Sequence, residues 1–159
     1  MLLYNGYVPL WVLIRILTFG QVSKFYALMK QADQNNIAQN FLVREKNLKI
    51  YINNLAIIRN ICAHDEKLFD IRLKKSISMT NIHVKYNLSL KNVNYCNGFK
   101  DLFSIVIIFK ELLEEDEFKD FYKVVIEFIE RLEKNIHSIK FENVLNKMGF
   151  PVIYKELLD

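Results

Sequence analysis

The spacing of apolar residues is the feature that most constrains the fold of this chain. Apolar side chains recur at steps of three and four residues along most of its 159 residues. The pattern is clearest in one set: Leu48, Tyr51, Ile52, Leu55, Ile58 and Cys62. Because these steps place side chains on one face of an α-helix, they predict a long amphipathic helix over about residues 44–63. Only four glycines and two prolines interrupt the chain, so we expect an all-α fold.

Helical spacing also predicts the elements that precede this helix. Pro9 suits the first turn of a helix that continues through Leu17, and Gly20 is expected to break it. A second helix is expected to follow through Met29. Asp33 or a neighbouring asparagine is the expected cap of a short third helix.

The periodicity fades after the long helix. Residues 65–98 are rich in Asn, Lys and Ser, which predicts a long polar, basic loop that contains a hairpin or a helical turn. Helical spacing returns at Leu102 and continues to Met148, and Gly149 followed by Pro151 is expected to end the last helix. The length predicts a single helical domain over residues 1–159.

Charge is distributed unevenly along the chain. Residues 67–100 carry seven basic groups and one acidic group, whereas residues 101–159 carry eight basic and 13 acidic groups. Clustered lysine and arginine side chains attract nucleic-acid phosphates, and Arg72, Lys74 and Lys75 form the candidate RNA-binding patch. The alternative interpretation is a solvated loop with scattered lysines.

Several classes of protein and site are disfavoured. No apolar run approaches the ~20 residues that span a bilayer, so we expect no membrane association. Cys62 and Cys96 form no CxxC motif and the three histidines are scattered, so neither a disulfide framework nor a metal site is predicted. We expect a cytoplasmic protein with Cys62 in the core and with His83 and His137 on the surface.

Arg59 and His64 are the residues of greatest chemical interest. Arg59 falls on the apolar stripe of the predicted helix, so it should be paired, lie at a subunit interface or line a cleft. At 100° per residue His64 lies about 140° around the helix from Arg59, so one straight helix cannot direct both at one atom. Either the helix ends near Ala63 and His64 turns back, or two copies of the chain combine their side chains. We favour the second alternative, a symmetric homodimer.

The residues around this pair resemble a known family. Residues 59–64 read Arg-Asn-Ile-Cys-Ala-His, which matches the RNxxAH form of the HEPN ribonuclease motif and looks like the Abi-like abortive-infection family of phage-resistance proteins. Three further motifs of that family occur in the same order: Pro9-Leu10-Trp11, Phe19-Gly20-Gln21-Val22-Ser23 and Met148-Gly149-Phe150-Pro151. The resemblance therefore covers nearly the whole chain and implies a HEPN-like helical bundle.

The resemblance implies metal-independent RNA cleavage, in which the ribose 2′-hydroxyl attacks the adjacent phosphorus. His64 would transfer protons, because histidine ionises near neutral pH, and Arg59 would bind the nonbridging phosphate oxygens. Asn60 would orient either group or hold the phosphate. No cofactor is needed. The implied partners are RNA, a second copy of the chain that completes a composite active site, and an antitoxin or regulatory RNA.

Other interpretations remain open. Arg59 would otherwise form a structural ion pair, His64 would be an ordinary helix C-terminal histidine, and Asn60 a polar contact. Family members usually have a further N-terminal region that this chain is expected to lack, and Tyr154 and Glu66 replace aromatic residues found in relatives. The alternative functions are a non-catalytic helical module that binds RNA or protein and an inactive truncated relative.

Overall fold

The computed structural model describes residues 8–88 and 98–158 of the chain. All regular elements in these two ranges are helical, which confirms the predicted all-α class for them. They are α1 (Leu10–Ile16), α2 (Phe19–Leu28), α3 (Gln31–Gln39), α4 (Glu45–Ala63), α5 (Asn81–Lys85), α6 (Leu102–Leu112), α7 (Glu115–Asn135), α8 (Phe141–Met148) and a 3-10 helix, η1 (Tyr154–Leu158). Within the same ranges, no helix is long and apolar enough to cross a membrane.

The chain divides into two compact units, Met1–Asn60 and Ile61–Asp159. The boundary falls inside α4, so the last three residues of that helix belong to the second unit. The single domain over residues 1–159 stays a prediction. The predicted long helix over residues 44–63 is confirmed by α4.

The start of the first unit is set by local capping. Pro9 is the N-cap residue of α1, one position before the first turn in which it was predicted, and the helix gives way to extended backbone at Leu17. The predicted break at Gly20 is wrong, because Gly20 lies in the first turn of α2. That helix begins with a capping box, in which the Thr18 side chain accepts from the Gln21 N–H at 3.3 Å and the Gln21 side chain accepts from the Thr18 N–H at 2.8 Å.

A reciprocal pair of hydrogen bonds joins α2 to α3. The Tyr26 hydroxyl donates to the Gln34 carbonyl at 3.0 Å, and the Gln34 side chain donates to the carbonyls of Tyr26 and Met29 at 2.9 and 3.1 Å. These bonds satisfy the polar groups of Tyr26 and Gln34, whose side chains are both buried in the first unit. The predicted cap at Asp33 is wrong, because Lys30 is the N-cap residue and Asp33 lies in the first turn of α3.

Leu42 follows α3 in a conformation that leucine rarely adopts. Its φ is +54° and its side chain is 96% exposed, so the backbone is strained without any compensating burial. We expect Leu42→Gly to raise the free energy of unfolding by about 0.5–1 kcal/mol, because glycine removes the strain at some cost in unfolded-chain entropy. Urea denaturation would measure the change. Leu42→Ala retains the Cβ atom and should show no gain, and an equal gain in both variants would contradict the strain argument.

The second unit is built around α6. Six of the eleven residues of this helix are buried, and the aromatic side chains of neighbouring elements complete the core. Phe118 and Tyr122 on α7 stack with their ring centroids 5.4 Å apart. The Tyr122 hydroxyl donates to the Tyr154 carbonyl at 2.7 Å, which ties η1 to α7.

The predicted loop over residues 65–98 contains a helical turn, as one of the two alternatives anticipated. That turn is α5, and two backbone bonds anchor the segment before it: Leu73 N–H to the Lys100 carbonyl at 2.7 Å, and Ile77 N–H to the Phe99 carbonyl at 3.0 Å. Leu73 and Ile77 are buried. The segment up to residue 88 is therefore folded onto the second unit, while residues 89–97 lie outside the described ranges.

Gly149 ends α8 as predicted. Its φ is +84°, and the Phe150 N–H donates to the Leu145 carbonyl at 2.9 Å, which is the bond that closes a Schellman motif. An added Cβ atom at Gly149 would overlap the Asp101 carboxylate. Glycine is therefore required here by both backbone conformation and space.

Candidate functional site

Arg59 and Asn60 lie near the C-terminal end of α4, at the end of the first unit, and both are exposed. The Arg59 guanidinium donates from Nη1 to the Asn60 side-chain oxygen at 3.3 Å. Arg59 forms no ion pair with any residue in the described ranges. The structure thus brings two of the three predicted catalytic residues together and leaves the guanidinium accessible to an anion.

The predicted apolar stripe of α4 is buried along only part of the helix. The buried residues of the helix are Leu48, Tyr51, Asn54 and Ala56, whereas Arg59 and Cys62 are exposed. The helical projection predicted the direction of Arg59 and Cys62 around the axis. It could not predict that Ala56 is the last buried residue of the helix. The expected location of Cys62 in the core is therefore corrected to the surface.

His64 follows α4 in the second unit and is exposed. The helix ends at Ala63, and the Glu66 N–H donates to the Ile61 carbonyl at 3.0 Å across Asp65, whose φ is +51°. This is a Schellman-type end with an aspartate in the left-handed position, which Asp tolerates better than most residues. The His64 imidazole makes no hydrogen bond to any described residue. It is therefore available for proton transfer.

The three predicted RNA-binding residues lie on the surface of the second unit. The Arg72 guanidinium donates from Nη1 and Nη2 to the Lys147 carbonyl, both at 3.2 Å. It therefore satisfies a carbonyl at the C-terminal end of α8, a structural role that the sequence did not reveal. Lys74 and Lys75 are exposed.

Two further lysines lie near these basic residues, although the sequence alone did not indicate them. Lys147 is exposed and is held beside Arg72 by the bonds just described. Lys100 is half-buried, and its carbonyl accepts from the Leu73 N–H, next to Lys74. Both come from distant parts of the sequence, so no local signal could have identified them.

A buried polar cluster surrounds Gly98. The Asp101 carboxylate accepts from the N–H groups of Gly98 and Ser104 at 3.0–3.1 Å, and the His83 Nε2 atom donates to the Gly98 carbonyl at 3.0 Å. Asp101 and His83 are 0% and 1% exposed. The predicted surface location of His83 is therefore wrong, whereas His137 is exposed as predicted. The depth of this cluster gives it a structural role.

The two titratable groups of the cluster have opposite pKa shifts. Burial raises the pKa of Asp101 to about 7, against the lowering effect of the backbone donors and of the Arg72 charge. Burial also lowers the pKa of His83, partly offset by its bond to the Gly98 carbonyl. The His83 Nδ1 atom accepts from the Thr80 N–H at 3.0 Å, which fixes the neutral tautomer with its proton on Nε2.

The shift of Asp101 predicts a pH dependence of stability. Its pKa is about 7 in the folded chain and near 3.8 in the unfolded chain, so the folded state binds more protons between these values. The free energy of unfolding contributed by Asp101 should therefore fall as the pH rises from about 4 to about 7. Asp101→Asn removes this contribution. The free energy of unfolding of the variant, taken relative to that of wild type, should therefore rise by roughly 2–4 kcal/mol between pH 4 and pH 7. Urea denaturation at several pH values measures the difference.

A surface carboxylate provides the control for this experiment. Asp70 pairs with Lys67 at 3.0 Å, which lowers its pKa, so Asp70→Asn should show no such trend between pH 5 and 7, where the effect of Asp101 is already large. The lowered pKa of His83 decreases the free energy of unfolding as the pH falls below about 6.5, the value in the unfolded chain. Wild type and Asp101→Asn share this effect, so it cancels in their difference. A flat difference between wild type and Asp101→Asn would contradict the prediction.

Within residues 8–88 and 98–158, no three His, Cys, Asp or Glu side chains are grouped so that they could hold a metal ion.

Residues 3–70 match the family described as Abi-like protein. The match to the Abi-like family covers less than half of the chain and includes Arg59, Asn60 and His64. It supports an Abi-like relationship for this part, which agrees with the motif resemblance. No curated protein and no solved structure gives a significant match to the chain.

Proposed function

We propose that this chain is a HEPN-type, metal-independent endoribonuclease that acts in abortive infection. The observation that carries the proposal is the exposure of Arg59 and His64 at the end of α4, inside the part that matches the Abi-like family. Neither side chain is held by an ion pair with a described residue, so both can engage a substrate. A buried structural pair, the main alternative for Arg59, does not fit its exposure.

The chemistry follows from what these groups can do. A neutral His64 imidazole would remove the proton of the ribose 2′-hydroxyl, whose oxygen then attacks the adjacent phosphorus. The bond from phosphorus to the 5′-oxygen breaks, and that oxygen takes a proton from a second, protonated imidazole. The products are a 2′,3′-cyclic phosphate and a free 5′-hydroxyl. Arg59 would stabilise the negative charge on the nonbridging oxygens with its planar donor fork.

Asn60 is proposed as a positioning residue. Its side-chain oxygen accepts from Arg59, which leaves the amide N–H groups free to donate to a phosphate. The second imidazole would come from another copy of the chain, so the active form would be a homodimer with a composite site. Exposed Arg59 and His64 on each chain are what such an assembly requires.

A second function, RNA binding without cleavage, is favoured by the basic residues of the second unit. Arg72, Lys74, Lys100 and Lys147 come from three segments that backbone and side-chain hydrogen bonds hold next to one another. Lysine and arginine side chains grouped in this way suit contacts with an RNA backbone. In a ribonuclease these residues would hold the RNA substrate. In a non-catalytic module, RNA binding by these residues would be the only activity.

The experiment that separates these two functions is RNA cleavage in the presence of a chelator. Wild type is compared with Arg59→Ala and His64→Ala, and the products are tested for 2′,3′-cyclic phosphate ends. Cleavage that depends on both residues supports the ribonuclease. RNA binding with equal, residual cleavage in all three proteins would instead support the non-catalytic module.

A further inference from the structure

A cleft of about 430 Å³ lies in the second unit, away from every residue assigned above. One wall carries Glu133 of α7, another carries Glu142 at the start of α8, and Tyr154 of η1 lines it as well. This volume lies within the range of sites that accept small ligands or single side chains.

The free charges of this cleft are negative. Its one basic residue, Lys155, is bound to Glu130, which does not line the cleft. Glu133 and Glu142 are exposed and form no ion pair with any residue in the described ranges. Glu133 and Glu142 therefore line a space whose one ammonium is bound to a carboxylate outside the cleft. Glu133 also lies within electrostatic reach of that ammonium, so Lys155 would compete with a ligand for it.

The remaining lining is apolar and aromatic. Phe141, Leu145 and Val152 supply hydrocarbon surface. Tyr154 is 4% exposed, yet within the described ranges its hydroxyl donates no hydrogen bond. Burial raises the pKa of Tyr154, Lys155 lowers it and Glu133 raises it, so the phenol lies within electrostatic reach of the cleft carboxylate. The Tyr154 hydroxyl itself reaches solvent, so it is accessible to a ligand in the cleft.

We propose that this cleft binds an organic cation, an ammonium or guanidinium group on an alkyl stem. The charged group would pair with Glu133 and Glu142 and approach the aromatic rings, and the stem would lie along Leu145 and Val152. Lys155 already places its Nζ atom 5.9 Å from the centre of the Tyr154 ring, near the limit for a cation–π contact. The ligand class covers free polyamines and the lysine or arginine side chains of a peptide.

Nuclear magnetic resonance titration of the full chain without RNA tests this proposal. Hexylammonium, the neutral 1-hexanol and the anionic hexanoate are compared first, and amide shifts in residues 133–155 should appear with hexylammonium alone. Glu133→Gln and Glu142→Gln should each weaken hexylammonium binding by about two- to fivefold, as expected for exposed ion pairs. Lys155→Met removes a competing cation and should strengthen binding by a similar factor.

Glu127→Gln is the matched control, because Glu127 is an exposed glutamate of α7 that does not line the cleft. It should leave binding unchanged. Equal shifts with hexanol or hexanoate, or equal weakening by Glu127→Gln, would overturn the proposal.

A second titration identifies the source of the cation by comparing spermidine with the peptides Gly-Arg-Gly and Gly-Leu-Gly. Preference for spermidine indicates a free polyamine, and preference for the arginine peptide indicates a basic protein partner. Binding of neither cation would overturn the assignment.

Discussion

The Arg59→Ala and His64→Ala variants are each expected to cleave RNA at least about 100-fold more slowly than wild type. Arg59→Ala removes the donors that stabilise the phosphorane, and His64→Ala removes the proton-transfer group. Because both side chains are exposed, the substitutions should leave the free energy of unfolding nearly unchanged. Initial rates on a fluorescent RNA, measured with a chelator present, give the comparison.

Mixing wild type with the His64→Ala variant tests the composite site directly. If each site needs one His64 imidazole from each chain, only the wild-type dimers of an equal, fully exchanged mixture are active, so about a quarter of the activity of the same amount of wild type should remain. If each site is complete within one chain, about half should remain. A value near a quarter therefore supports the homodimer proposal, and a value near a half with confirmed subunit exchange contradicts it.

Arg44→Ala and His137→Ala are the matched controls, since each removes an exposed residue of the same type elsewhere in the chain. Both should retain wild-type cleavage rates. A comparable loss in either control would show that Arg59 and His64 have no special role. Equal activity in all variants would point to a contaminating ribonuclease.

Gly149→Ala is expected to give the largest loss of stability, about 3 kcal/mol or more, because it combines left-handed strain with a steric overlap in the core. The new Cβ atom would meet the buried Asp101 carboxylate, which cannot move without losing its bonds to Gly98 and Ser104. Thermal and urea denaturation measure the effect. Where the variant fails to fold, limited proteolysis and the yield of soluble protein give the same comparison.

Gly20→Ala provides the opposite expectation for the same chemical change. Gly20 lies in the first turn of α2 with nothing within 4 Å of an added Cβ atom, so alanine should be neutral or stabilising by about 0.5–1 kcal/mol. Similar destabilisation in both variants would show that the contact with Asp101 is unimportant.

Much of the helical fold could be predicted from the sequence, because helix spacing and capping are local properties. The bounds of α4 and the end of α8 at Gly149 follow from residues within one or two turns. The break at Gly20 was predicted incorrectly, although the signal for the start of α2 is also local. Thr18 and Gln21 form a capping box, and this outweighs the weak helix propensity of Gly20.

Long-range packing explains what the sequence could not predict. The helical projection gave the angle of Arg59 and Cys62 around α4 but could not show that the covering side chains end before them. His83 looked like a surface residue within a polar stretch, yet its partner Gly98 lies 15 positions away. Arg72 and the Lys147 carbonyl are 75 positions apart, which no spacing rule covers.

The left-handed turn at Asp65 changes how the Arg59–His64 motif should be understood. His64 occupies the residue just before this turn, so its position depends on where the helix stops as well as on its count from Arg59. The bond from the Glu66 N–H to the Ile61 carbonyl sets that stopping point. Asp65 and Glu66 thus help to set the position of His64 at the end of the helix. A sequence motif that ends at the histidine leaves out the two residues that fix the backbone just after it.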